Sequence, residues 1–337
     1  MGRSHWARVG LSWVVVLGLT AAVAAETVTF PDRNLEAAIR EAIFKPFGTI
    51  ESWELDWLTE FIAPDQGIED LTGLEYCPYL AFVDLSGNAI DSISVLANRS
   101  QMMTLDLSGN PISNIRPLQN LTSLRELALS DCEIEDAGPL SGLVDLKVLH
   151  LANNRIEDVA ALGGMTYLAE LDLGGNPLDD LSPLLGLTRI ERLTVSGDAP
   201  VGILPLGDLT SLTHLTLAGR GIEDILPLAG LVNLLDLDLS GNAIRDLTPL
   251  TGLILLEELN LSDNGIVHIT ALTGLFNLNV VDLSDNEVTN ILALVENDGI
   301  GIGDTIDLSG NPLDTSVGSP TREHLDALER RRLELTY

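Results

Sequence analysis

Residues 234–255, LLDLDLSGNAIRDLTPLTGLIL, place apolar side chains at positions 1, 4, 6, 11, 14, 17 and 20 of a 22-residue unit and asparagine at position 9. The opening Leu-x-x-Leu-x-Leu alternates like a short strand with one buried face. Asn242 then turns the chain, and Pro249 and Gly252 exclude a long regular helix on the return path. A single unit cannot bury its own apolar face. Stacked copies cover one another, which is the logic of a solenoid.

The pattern recurs in register between residues 58 and 313. Twelve units begin at Leu58, Leu80, Met102, Leu124, Leu146, Leu168, Ile190, Leu212, Leu234, Leu256, Leu278 and Gly303. The first eleven starts are 22 residues apart and the last step is 25, with the glycine-rich stretch 296–303 as the expected place of the extra residues. Position 9 reads Asn88, Asn110, Asn154, Asn176, Asn242, Asn264, Asn286 and Asn311 in eight units, and Gln66, Cys132, Asp198 and Arg220 in the others. A side-chain amide there can bond backbone groups inside the turn, so the asparagines are predicted to form a structural ladder. The adjacent departures Asp198 and Arg220, with Pro200 in place of an aliphatic residue, predict a local distortion over 198–203 and an Asp198–Arg220 ion pair.

The ends read differently. Residues 26–57 predict an N-terminal helical cap: a strand over 27–30, then a helix opened by Pro31-Asp32, with Leu35, Ile39, Ala42 and Ile43 on one face, ended by Pro46 and Gly48. Residues 314–337 predict a second cap, with Ser319 and Pro320 starting a helix, Leu325 and Leu328 packing on the last unit, and a closing strand over 334–337. Caps at both ends lead to the expectation of a complete chain. The fold expected is an α/β repeat solenoid: a curved, right-handed leucine-rich-repeat coil with a parallel sheet on its concave side and short turns on its convex side.

Residues 1–25 read as a secretory signal, with Arg3 and Arg8 before a short apolar run and small residues 22–25 before Glu26. Their removal leaves 16 basic residues against 50 acidic ones, a net charge of −34. Such a chain repels nucleic acid and anionic membranes. No later stretch is long and apolar enough to span a membrane. Cys77 and Cys132 fall on different faces of the solenoid, so no disulfide is expected.

Three stretches carry a family resemblance: VTFPDRNLEAAIREAI (28–43), GIEDLTGLEYCPYLAFVDLSGNAIDSI (67–93), and the 22-residue register itself. Together they resemble the internalin-like bacterial leucine-rich-repeat proteins over essentially all of residues 26–337. The resemblance implies a curved parallel solenoid that binds proteins on its concave face. No wall-sorting motif of the kind carried by surface-attached relatives occurs in residues 26–337, so attachment to a cell surface is not the expectation.

The strand register names the side chains of that face. Position 5 includes Asp84, Asp106, His150, Asp172, Asp238 and Asp282; position 3 includes Phe82, Arg192 and His214. These make an acidic strip broken by His150, Arg192 and His214, with Lys147 beside them. The functional reading is a docking strip for a protein or peptide partner of basic character. The structural reading is that the aspartates keep an exposed sheet soluble. The acidic residues at position 13, such as Asp70, Asp158 and Asp224, are expected to cap the short turns after them.

No catalytic, metal or cofactor constellation emerges. Asp236-x-Asp238-x-Ser240-Gly241 imitates the start of a calcium loop, but Leu247 stands where its closing glutamate belongs. The expectation is a secreted, non-enzymatic interaction scaffold without a cofactor. The alternative is a structural cell-envelope protein associated with polysaccharide or calcium.

Overall fold

The computed structural model describes residues 26–337, so the signal-peptide reading of residues 1–25 lies outside the described residues. In each unit the middle leucine of Leu-x-x-Leu-x-Leu sits at the centre of a three-residue strand. The strands are Glu60–Ile62, Phe82–Asp84, Thr104–Asp106, Glu126–Ala128, Val148–His150, Glu170–Asp172, Arg192–Thr194, His214–Thr216, Asp236–Asp238, Glu258–Asn260, Val280–Asp282, Thr305–Asp307 and Glu334–Thr336. They form one thirteen-stranded sheet in sequence order. Its pairings are parallel, and residues one unit apart stand opposite one another, as in Glu60 with Phe82 and His214 with Asp236. In the twelve repeat strands the central residue is buried and its two neighbours face outward, so Leu237 is enclosed between Asp236 and Asp238; Leu335 in the last strand is part-buried.

The return paths are short 3-10 turns such as Thr248–Gly252, where Pro249 opens the turn and Leu250 plugs the core. Where an acidic residue stands two places before the turn, as in six of the units, it caps it. Asp246 Oδ1 accepts from Thr248 N at 2.9 Å, Asp158 Oδ1 from Ala160 N at 2.7 Å, and Asp224 Oδ1 from Leu226 N at 2.8 Å. The eleventh unit departs from this: its return path is the α-helix Leu292–Glu296, and the added residues follow it. There Asn297 takes a leucine position, fully buried, and its amide donates to Leu272 O and Leu275 O.

The core is a continuous aliphatic stack that runs from Val28 to Leu328. Cys77 and Cys132 are both buried and free, and burial pushes the Cys77 thiol up to about 12.

At the N-terminal end the strand Thr27–Val28 pairs antiparallel with Ile50–Glu51. The helix Arg33–Ala42 buries Leu35 and Ile39 against the first unit. Asp32 holds both together: Oδ1 accepts from Asn34 N and Leu35 N at the helix start, and Oδ2 from Glu69 N and Asp70 N in the first unit. At the other end the helix Pro320–Glu329 starts at Ser319, whose Oγ accepts from Arg322 N. Leu325 and Leu328 are buried. Arg331 donates to the carbonyls of Val295, Asn297 and Ile300.

Candidate interaction surface on the concave face

The turn after each strand fixes where the outward side chains stand. At position 9 the asparagine amide closes that turn and ties it to the preceding unit. Asn110 Nδ2 donates to Leu85 O and Leu107 O, both at 2.9 Å, and its Oδ1 accepts from Ile90 N at 3.0 Å. Asn88, Asn154, Asn176, Asn242, Asn264, Asn286 and Asn311 repeat the bond to the preceding unit. Backbone groups inside the turns are thereby paired although they are shut off from water.

The position-5 acids have a local partner of their own. Asp84 Oδ1 accepts from Ser86 N at 3.0 Å. Asp106 does so from Ser108, Asp172 from Gly174, Asp238 from Ser240 and Asp282 from Ser284, each at 2.9 Å. One carboxylate oxygen thus caps the turn while the side chain remains part-exposed. Asn260 occupies the same position in its unit and makes the same bond to Ser262 N at 3.0 Å. The charge is therefore dispensable to the turn; the acceptor oxygen is what the turn uses. Burial pushes the Asp106 carboxyl up; bonds from Ser108 oppose this and the neighbouring Asp84 carboxylate reinforces it.

In the middle of the face the strip changes character. Arg192 and His214 stand opposite one another on adjacent strands. Arg192 is exposed and makes no ion pair among the described residues, whereas His150 Nε2 lies 2.9 Å from Glu170 Oε1 and His214 Nδ1 lies 2.9 Å from Thr213 Oγ1. Arg192, His214, Glu170, Asp172 and Asp236 line a shallow depression of about 170 Å³. His150 lies three strands from His214, and Lys147 is exposed beside it. Phe82 stands apart, half-exposed at the N-terminal end of the sheet. The structure therefore brings Glu170, Asp172, Arg192 and His214 into one hollow, sets Asp84 beside Asp106, and leaves Asp238 and Asp282 two strands apart. Among the described residues no group of three or more His, Cys, Asp or Glu is placed to hold a metal, and no helix is long and apolar enough to cross a membrane.

The sequence model of the family described as Leucine Rich repeats (2 copies) matches residues 104–142, 122–164 and 144–186. No curated protein sequence matches the chain. Among solved structures, internalin C2 of Listeria monocytogenes is 30% identical, with a TM-score of 0.56 over 74% of this chain and 100% of that one. The chain belongs to the internalin-like bacterial leucine-rich-repeat proteins. Internalin InlF of the same bacterium is 28% identical, with a TM-score of 0.77 over 91% of this chain and 96% of that one. A leucine-rich-repeat protein of Leptospira interrogans, 20% identical, shares the fold with a TM-score of 0.65 over 85% of this chain and 79% of that one.

Two features of this internalin-like chain depart from its sequence reading. The expected Asp198–Arg220 ion pair does not form: Asp198 is exposed, and Arg220 is fully buried. The guanidinium instead donates to the carbonyls of Val195, Ser196, Asn176 and Ala199. Carbonyl dipoles, rather than a carboxylate, hold the charge. The turn there is also distorted, with Gly197 at φ 151° where the matching Gly175 and Gly219 lie at 72°. The second departure is a set of exposed aromatics just outside the position-3 and position-5 columns, at Trp57 and Tyr79. Both occupy position 22 of the register, and reading that column as well as the two strand columns would have found them.

Proposed function

We propose that the chain is a secreted, non-enzymatic interaction scaffold that binds a protein or peptide of basic character on its concave face. The observation that carries this reading is the register: twelve successive units lay their outward side chains in two columns, in which 11 of the 24 residues are carboxylates and all but Ala128 are at least part-exposed. A surface of one sign steers an oppositely charged partner toward it and holds it in a salt-dependent way. The depression around Arg192 and His214 supplies a point along the strip where a carboxylate of the partner would find a cation. Membership of the internalin-like family supports the same reading.

The Asx bonds at position 5 favour a second reading, in which the acids serve the fold and its solubility, as in a structural envelope protein. The two readings part on a charge-removing, fold-conserving change. Asp84, Asp106, Asp238 and Asp282 are replaced together by Asn, a residue that Asn260 already shows to satisfy the same turn. Parent and variant are used to capture partners from the medium and envelope fractions of the source bacterium. A partner held by the parent and lost by the variant, with the loss mimicked by raised salt, supports the concave reading. Equal capture by both overturns it. Secretion is tested by N-terminal sequencing of the exported protein, with Glu26 as the expected first residue.

A further inference from the structure

The core of this solenoid is built from aliphatic residues, yet nine of the twelve aromatic residues in 26–337 lie between Phe30 and Phe82. Several are not core. Trp53, Trp57, Tyr79 and Phe82 are 58%, 55%, 56% and 46% exposed. Trp57 and Tyr79 each stand three residues before the strand residues Glu60 and Phe82, which pair directly. They are therefore neighbours in one column, about 5 Å apart along the sheet, at the edge where the chain enters the concave face.

The same column shows elsewhere what an aromatic at this position does. Tyr167 and Arg189 are also successive members of it, and the Arg189 guanidinium lies 4.8 Å from the centroid of the Tyr167 ring. Trp57 and Tyr79 are followed in the column by Gln101, so the chain supplies no such cation to them. Nor does the surrounding sequence. Residues 46–98 contain ten acidic residues and no Lys, Arg or His. The flanking cations are tied within the chain: Lys45 to Glu54, Arg40 to Glu36, and Arg99 to the carbonyls of Cys77 and Leu74. The side chains of Asp56 and Glu60, close to Trp57 in the chain, carry no hydrogen bond or ion pair among the described residues and are exposed. Aromatic faces set among free carboxylates are the composition that attracts a guanidinium or ammonium group.

We propose that Trp57 and Tyr79, with Phe82 beside them, are an anchor that takes an arginine side chain of a cationic partner segment, whose remaining cations run along Asp84 and Asp106. This rests on the concave-face reading above and names the chemistry recognised at one end of it. Charge selects the occupant. A second copy of this chain would bring a net charge of −32 to a locally all-acidic surface, and an anionic membrane would be repelled.

The test is calorimetry of the full chain with a synthetic octapeptide of alternating arginine and glycine. The Trp57→Leu/Tyr79→Leu variant leaves the net charge unchanged, so simple attraction between opposite charges is retained in it. It is expected to bind at least tenfold more weakly than the parent. Trp57→Phe/Tyr79→Phe, which keeps the ring faces, is expected to stay within about threefold of the parent. Equal affinity of the Leu variant and the parent overturns the anchor. If the fourfold Asp-to-Asn variant loses binding in that same experiment, the concave reading survives without it. Loss in the Leu variant with none in the Asn variant keeps the anchor and overturns the concave reading. A dimer of the chain alone that the Leu variant abolishes assigns the patch to self-association and overturns the proposal.

Discussion

Arg220 supplies the hydrogen bonds that Asp198 cannot. In a regular unit the position-9 asparagine donates to the carbonyls three and two residues before it, as Asn242 does to Leu239 O and Ser240 O. For Asp198 those acceptors are Val195 O and Ser196 O. A carboxylate has no proton to give them, and Asp198 turns outward. Arg220, one unit later, donates to both, at 2.8 and 2.9 Å. It also makes the bond of its own position, since Val195 O is the acceptor in the preceding unit that an asparagine at 220 would use. One long side chain with five N–H donors thus closes the turn that Asp198 leaves open and, through the same Val195 O bond, ties its own unit to the preceding one.

Arg220→Ala leaves these carbonyls buried without a donor and is expected to cost about 3–5 kcal/mol. Asp198→Asn combined with Arg220→Asn rebuilds the ordinary ladder and should recover most of that loss, to within about 1–2 kcal/mol of the parent. Urea unfolding of the three proteins measures it. Equal losses in the Ala variant and the double Asn variant would falsify the compensation.

Cys132 is another break in the ladder. Its thiol lies 3.6 Å from both Leu107 O and Ser130 O, a weak donor at long range. Asparagine at this site would donate to the same carbonyls and accept a backbone N–H as Asn110 and Asn154 do. Cys132→Asn is therefore expected to raise stability by about 1 kcal/mol, read as a higher urea midpoint. A lower midpoint would show that the turn has adapted to sulfur.

Asp32 links acid pH to the junction between the N-terminal helix and the first unit. Burial acts to raise its carboxyl pKa, but four backbone N–H donors, from Glu69, Asp70, Leu35 and Asn34, outweigh it and hold the group below its ordinary value. A carboxyl depressed in the folded state contributes stability above its unfolded pKa, about 3.9. That contribution is lost as pH falls through the folded value. Asp32→Ala should cost about 1–2 kcal/mol at pH 7 through the lost cap, and less near pH 2. Urea midpoints at both values measure the difference. A cost that does not shrink in acid would remove the carboxylate from the explanation.

Much of this architecture is legible in the sequence because a period of 22 residues leaves little freedom. Leu237 and its equivalents must face inward, so Asp236 and Asp238 must face outward. The Asp198–Arg220 reading failed for a physical reason. Opposite charges at adjacent turns suggest a pair, but a buried turn needs donors more than it needs a neutralised charge. The bonds that Ser86 N and Ser240 N donate to Asp84 and Asp238 are not legible in the sequence, because a strand register treats outward side chains as free. Trp57 and Tyr79 escaped notice because they precede the strands whose columns define the face.

The concave-face claim is tested most directly by carboxyl labelling of the chain with and without its captured partner. Asp84, Asp106, Asp238 and Asp282 report the sheet face, and the turn-capping Asp70, Asp158 and Asp224 serve as internal controls on another face of the same units. The account predicts that the partner protects the first set and leaves the second unchanged. Protection of the turn-capping set with the sheet set still labelled would contradict it.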